Sequence, residues 1–105
     1  MSSKPERKDV PENTAIDPPV VSNPQGGGTY SNPVKFSGTG LSGWWVYFFA
    51  VPTNGDDIGS AIVDEQGNWT FDAYLGPGTF KVFGWQTDNR QRSPWTPFIE
   101  FTVTS

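Results

Sequence analysis

Aromatic side chains recur at every second position in two stretches of the sequence and once more ahead of a third. They are Trp45, Tyr47, Phe49, Phe83, Trp85 and Phe98. Large aromatic rings offer flat apolar faces on which another ring, an apolar side chain or a sugar can stack. Residues two apart share one face of a β-strand. The spacing therefore predicts one aromatic surface, and its chemistry is binding rather than bond making.

The side chains that most often catalyse reactions are scarce. The sequence contains no His and no Cys, so the commonest general base, the soft metal ligands and the thiol nucleophile are missing. The adjacent acidic pairs Asp56-Asp57 and Asp64-Glu65 fall in predicted turns, where solvated carboxylates are ordinary. We expect no enzymatic activity, no bound cofactor and no metal site.

Charge and hydropathy argue against two classes of partner. Seven basic and eleven acidic residues give a net charge of −4, which provides no basic surface for nucleic acid. No apolar run is long enough to cross a membrane, and residues 1–19 lack the apolar segment of a Sec signal peptide. The sequence therefore predicts a soluble protein that neither binds nucleic acid nor inserts into a membrane.

Short apolar stretches alternate with residues that favour turns. Twelve Gly and ten Pro interrupt the chain, no window has helical periodicity, and the aromatic run at 44–51 is too short for a typical packed helix. Strands are predicted at residues 20–21, 34–36, 44–51, 58–63, 69–73, 80–86 and 98–103. The predicted fold class is all-β.

The first 18 residues differ in composition from the rest. They are charged and rich in Pro, and Val10 and Ile16 are their only sizeable apolar side chains after Met1. Such a segment cannot bury enough surface to offset the entropy lost on ordering it. We predict a flexible, disordered tail or linker at residues 1–18 and a single domain at residues 19–105.

Several short motifs in residues 19–105 match those of one protein family. They are Phe36-Ser37-Gly38-Thr39-Gly40, Gly67-Asn68-Trp69-Thr70-Phe71, Gly78-Thr79-Phe80-Lys81-Val82, Gln86-Thr87-Asp88 and Ser93-Pro94-Trp95. The chain resembles the bacterial immunoglobulin-like (Ig-like) domains repeated in surface proteins and adhesins. The resemblance implies a sandwich of about seven strands in two antiparallel sheets, a cell-surface or secreted location, and a role as spacer, adhesin stalk or binding head. The residues themselves leave the compartment open.

The third predicted strand is more aromatic than is usual in this family. In an Ig-like sandwich the third, sixth and seventh strands are neighbours in one sheet. If Val46 and Phe48 point inward, the alternating rings cluster on the outer surface of that sheet, with Arg90 and Arg92 in a polar loop at one end. Six rings even half exposed approach or exceed the roughly 300–600 Å² of the largest apolar patch on a typical monomer. Something is therefore expected to cover or use this face.

The sequence leaves several candidates for what covers this face. A protein partner or a second copy would use the rings as interface anchors, and a carbohydrate would stack on them with nearby polar side chains as hydroxyl partners. The Pro-rich tail or a long loop would instead hide the rings, and a one-residue slip in register would exchange the two faces. We expect a non-enzymatic binding or interaction module, with a carbohydrate-binding module and a passive structural spacer as alternatives.

Overall fold

The computed structural model describes residues 11–51, 57–88 and 90–104. These residues form eight β-strands and no helix, and they accordingly contain no helix that could span a membrane. The strands are β1 (Val20–Asn23), β2 (Thr29–Ser31), β3 (Val34–Thr39), β4 (Trp45–Ala50), β5 (Gly59–Ile62), β6 (Asn68–Ala73), β7 (Gly78–Thr87) and β8 (Ile99–Thr104). The predicted all-β class is confirmed, with one strand more than the sequence indicated.

The strands form two sheets whose inner side chains meet in one core. A three-stranded sheet has the order β1-β3-β6, and a five-stranded sheet has the order β2-β8-β7-β4-β5. Neighbouring strands pair antiparallel except β2 and β8, which run parallel. The core draws on both sheets, an arrangement consistent with a β-sandwich.

Strand β2 is the element that the sequence did not indicate. It has three residues and follows a Gly-rich turn that already contacts β8: the Gly27 N–H donates to the Glu100 carbonyl at 2.8 Å, and the Thr102 N–H donates to the Gly28 carbonyl at 3.0 Å. The Tyr30 ring then packs edge-on against Phe101 at 5.9 Å between centroids. Residues 29–31 therefore form a strand because they pair with β8, and not because of a pattern in their own sequence.

Alternation along the strands decides which side chains enter the core. The Phe36 ring lies 5.5 Å from Phe48 and 6.0 Å from Phe101 between centroids, so one side chain of β3 contacts two strands of the opposite sheet. Trp69 lies 5.3 Å from Phe48 and donates its indole N–H to the Thr39 carbonyl at 3.0 Å. Alternate side chains of β4, β7 and β8 belong to this core or pack against it, among them Val46 and Phe48, which were expected to point inward: Val46, Phe48, Phe80, Val82, Ile99, Phe101 and Val103.

Two glycines allow strands to approach closely. A Cβ at Gly59 of β5 would overlap the Phe71 ring of β6, so this glycine lets the edges of the two sheets meet. A Cβ at Gly84 of β7 would lie 2.6 Å from the Tyr47 carbonyl oxygen and 2.8 Å from the Phe48 ring. A larger side chain at either position would force the neighbouring strand to move.

Candidate functional site

The structure brings five of the six predicted aromatic rings, those on β4 and β7, together on the outer side of the five-stranded sheet. We call this cluster the aromatic layer; it comprises Trp45, Tyr47, Phe49, Phe83 and Trp85. Tyr47 of β4 faces Trp85 of β7, and Phe49 faces Phe83, with ring centroids 5.1 Å and 5.5 Å apart. Trp45 continues the row at 6.5 Å from Tyr47. Strand alternation therefore places these side chains on the face that the sequence analysis assigned to them.

The aromatic layer is buried, whereas the sequence analysis expected it to be exposed. The exposed fractions are 0% for Tyr47, 6% for Phe49, 4% for Phe83 and 5% for Trp85. Trp45 is half-buried, and of the six predicted rings Phe98 alone is largely exposed, at 55%. The layer is thus a second apolar cluster on the reverse side of the sheet, not an open stacking surface.

Part of the cover comes from the connection between β7 and β8. The Trp95 ring stacks on Phe83 with centroids 4.2 Å apart, and the Phe98 ring packs edge-on against Phe83 at 5.7 Å. The Arg92 guanidinium lies 5.7 Å from the centroid of the Trp85 ring. Among the alternatives that the sequence left open, a loop that covers the rings is the one these contacts support.

Side-chain hydroxyls attach this connection to the second half of β7, beyond the point where β8 pairs with it. Ser93 donates its backbone N–H to the Gln86 carbonyl at 2.8 Å and accepts the Gln86 N–H on its hydroxyl at 3.0 Å. Thr96 makes the same pair of bonds with Gly84, at 2.8 Å and 3.0 Å. Because Ser93 and Thr96 are both buried, their hydroxyls replace the partners that a neighbouring strand would have supplied.

The end of the predicted tail lies against the same connection. Arg92 donates its backbone N–H to the Pro11 carbonyl at 2.9 Å and accepts the Asn13 N–H at 2.8 Å, while its guanidinium lies 3.4 Å from the Glu12 carboxylate. The Gln86 side chain donates to the Asp17 carbonyl at 2.9 Å. Residues 11–18, predicted to be flexible, therefore have defined contacts, and the remainder of the predicted tail, residues 1–10, lies outside the described residues.

The two arginines predicted as binding residues have different surroundings. Arg92 contacts both Trp85 and Glu12, whereas Arg90 is exposed and pairs with Asp88 at 2.9 Å. Burial acts to raise the pKa of Asp88, but hydrogen bonds from the backbone and guanidinium of Arg90 and from the Gln91 N–H outweigh it, so the pKa lies below its ordinary value. Arg90 therefore stabilises its own loop, and Arg92 belongs to the cover of the aromatic layer.

Exposed apolar side chains occur both on this connection and on β1. Val20, Trp95 and Phe98 are 61%, 52% and 55% exposed. Val20 also lines a groove of about 390 Å³, whose other lining residues include the sequence neighbours of Trp95 and Phe98. The lining residues are Pro18, Pro19, Val20, Val21, Thr96, Pro97 and Ile99. We call this surface, the three exposed side chains together with the groove, the apolar rim.

Of the two aromatic members of this surface, Phe98 was predicted as a site residue and Trp95 was missed. It lies outside the strands, between Pro94 and Pro97, where no alternation assigns a side chain to a face. The available signal was compositional, since an aromatic residue between two prolines is restrained by its neighbours. Its position on Phe83 depends on the path of the whole connection, which the sequence pattern does not give.

One acidic residue of the predicted turns, Asp64, has structural partners. Asp64 accepts hydrogen bonds from the backbone N–H groups of Gln66 and Asn68, both at 2.9 Å, on one carboxylate oxygen. Asp56 of the other acidic pair lies outside the described residues. Within the residues that the structure describes, no three His, Cys, Asp or Glu side chains are grouped so as to hold a metal ion.

Comparison with known proteins identifies no relative for this geometry. No protein-family model matches the chain, and neither a curated protein nor a solved structure matches it. The function therefore has to be inferred from the residues and their contacts.

Proposed function

We propose that this chain is a non-enzymatic interaction module that binds a protein partner through the apolar rim. The observation that carries the proposal concerns Trp95, whose ring is 52% exposed yet stacks on the buried Phe83 at 4.2 Å with 27° between the ring planes. A side chain held in place before binding loses little conformational entropy on contact. Exposed aromatic residues of this kind are enriched among the anchors of protein interfaces.

The chemistry of the rim favours an extended apolar segment of the partner. The groove of the rim is lined by prolines, aliphatic side chains and Thr96, which offer apolar contact and few hydrogen-bonding groups. Lys81 places its Nζ 5.7 Å from the centroid of the Phe98 ring and faces Glu100 on β8. An apolar centre with charged residues at its border is the usual composition of a protein interface.

We further infer that the domain is Ig-like and is a module of the surface-protein kind. The sheet order supports this inference, because β1-β3-β6 and β8-β7-β4 reproduce the order of strands A-B-E and G-F-C in an immunoglobulin sandwich. Strands β2 and β5 then extend the second sheet at its two edges. The short motifs that resemble bacterial Ig-like domains agree with this topology.

A peptide selection tests the proposed surface directly. The full chain is panned against a random displayed peptide library, and enriched peptides are titrated into the labelled protein by amide NMR. We expect apolar peptides with a Kd of about 1–100 μM that shift the amides of residues 95–99 and Val20. Trp95→Ala and Phe98→Ala should each weaken binding by about tenfold or more.

Tyr74→Ala is the matched control, because Tyr74 is an equally accessible aromatic residue, 79% exposed, on β6–β7 and away from the rim. It should leave peptide affinity unchanged. Failure to enrich any peptide, or peptides that bind the Trp95→Ala protein as tightly as the parent, would contradict the proposal and favour a passive spacer. Concentration-dependent sedimentation that Phe98→Ala abolishes would instead identify a second copy as the partner.

A further inference from the structure

A second groove crosses the outer side of the three-stranded sheet, away from the aromatic layer. It is open to solvent, has a volume of about 550 Å³ and extends from β1 across β3 and β6 to the edge strand β5. We call it the hydroxyl groove because most of its lining side chains carry a hydroxyl or an amide. These side chains are Ser22, Ser37, Thr39, Ser60, Asn68 and Thr70.

Strand pairing sets these polar groups side by side. Ser37 of β3 faces Thr70 of β6, and Thr39 faces Asn68. A register shift between Val21 and Asn23 in β1 places Ser22 at an irregularity of the strand, next to the groove. The polar groups of β3 and β6 therefore occupy alternate rungs of one sheet, with Gly38 and Trp69 between them, and have a fixed spacing.

None of the six side chains makes a hydrogen bond within the described part of the chain. Elsewhere in the molecule hydroxyls of the same types are used internally: Ser93 and Thr96 complete the edge of β7, and Ser42 donates to the Asp64 carbonyl at 2.7 Å. The groove therefore brings together several side chains that are free to donate and accept hydrogen bonds.

We propose that the hydroxyl groove binds a neutral carbohydrate chain. Hydroxyl and amide side chains both donate and accept hydrogen bonds, as sugar hydroxyls do, so each contact can form in either direction. The volume is within the range of about 300–1,000 Å³ typical of ligand sites.

The charges around the groove distinguish this ligand class from others. Among the described residues of the lining, Asp64 is the one that carries a charge, and one of its carboxylate oxygens already accepts two backbone hydrogen bonds. Because none of the described lining residues is Lys or Arg, anionic sugars and phosphates gain no ion pair from them. Without exposed aromatic anchors, a protein interface is less favoured here than at the apolar rim.

The probes for the test are neutral hexasaccharides, namely β-1,4-linked glucose, xylose and mannose and α-1,4-linked glucose, titrated separately into the labelled full chain. We expect one of them to shift the amides of Ser37, Thr39 and Thr70 saturably, with a Kd of about 0.1–10 mM. The double substitution Ser37→Ala with Thr70→Val should weaken binding about tenfold or more, because two neutral hydrogen bonds are lost at little change in volume. Thermal melting confirms that this variant folds.

Thr102→Val is the matched control, since it removes a strand hydroxyl from the outer side of the other sheet; it should leave the affinity unchanged. The proposal is overturned if no hexasaccharide gives a saturable shift up to about 20 mM, or if a hexagalacturonate binds more tightly than the neutral chains. It is also overturned if the shifts fall on residues 95–99, which would make the apolar rim the sugar site. The protein-binding proposal is judged separately, because its peptides are tested with Trp95→Ala and Phe98→Ala.

Discussion

The outer faces of the two sheets use similar polar side chains in opposite ways. On the five-stranded sheet, the hydroxyls of Ser93 and Thr96 accept backbone N–H groups of β7 while the connection that carries them lies over an aromatic layer. On the three-stranded sheet, the hydroxyls of Ser37 and Thr70 line an open groove and have no partner in the described residues. A hydroxyl that completes a strand edge stabilises the fold, whereas one in an open groove is available to a ligand.

The largest difference between the two faces should appear in the free energy of unfolding when one side chain on each face is truncated. Phe83→Ala removes a ring that contacts Phe49, Trp95 and Phe98, so we expect the free energy of unfolding to fall by about 3–5 kcal/mol. Thr70→Ala, on the exposed face of β6, should change it by at most about 1 kcal/mol. Urea titration measures both. Comparable losses in the free energy of unfolding would mean that side chains on the two outer faces contribute equally to stability.

A smaller difference should separate two serines. Ser93→Ala leaves the buried N–H of Gln86 without its acceptor, which should cost about 1–3 kcal/mol. Ser37→Ala removes a hydroxyl from the groove and should cost about 0.5 kcal/mol or less. The same unfolding titrations provide the comparison, and a costly Ser37→Ala would show that the groove hydroxyls have a structural role.

The contact between residues 11–13 and the connection from β7 to β8 should contribute only a small, charge-dependent stabilisation. Glu12→Gln removes the carboxylate that lies 3.4 Å from Arg92, and for a partly exposed pair we expect a loss of about 1 kcal/mol or less that shrinks with added salt. Amide hydrogen exchange at Asn13, which donates to the Arg92 carbonyl, should quicken. Glu65→Gln on the exposed β5–β6 turn is the control, and equal effects of the two substitutions would argue against the contact.

The smallest effect concerns pH. Because the pKa of Asp88 is below its ordinary value in the folded chain, its carboxylate contributes stability that is fully present above about pH 4 and lost as the pH falls through the lowered pKa. Asp88→Asn should therefore be less stable than the parent at neutral pH, and the gap should narrow in acid. Unfolding titrations across the acid range test this, and a gap that widens in acid would contradict the assigned direction.

Strand alternation made much of the fold predictable. Val46 and Phe48 enter the core while Tyr47 and Phe49 lie on the opposite side of the same sheet, as a period of two requires. The paired rings of β4 and β7 followed from the same rule once the two strands were taken as neighbours. Local residue types suffice for such features, because the side-chain direction in a strand depends on position alone.

The burial of the aromatic layer and the grouping of free hydroxyls in the groove were not predictable in the same way. The burial of Phe83 depends on the path of a connection whose own residues, such as Trp95, have no periodic pattern. Ser37 and Thr70 are ordinary strand residues in sequence, and their grouping in one groove depends on the pairing of β3 with β6 and on the position of β5. Such features arise from contacts between distant segments, which a single sequence does not specify.

The parallel pairing of β2 with β8 has a mechanical consequence. Thr29, Tyr30 and Ser31 face Thr102, Val103 and Thr104 in register. Tension applied between the segment that precedes β2 and the segment that follows β8 pulls these strands in opposite directions along their lengths. The load is then shared by the bonds of all three rungs at once, instead of opening them one after another as in a peeled antiparallel hairpin. The pairing of β2 with β8 would therefore resist stretching of the chain in this direction.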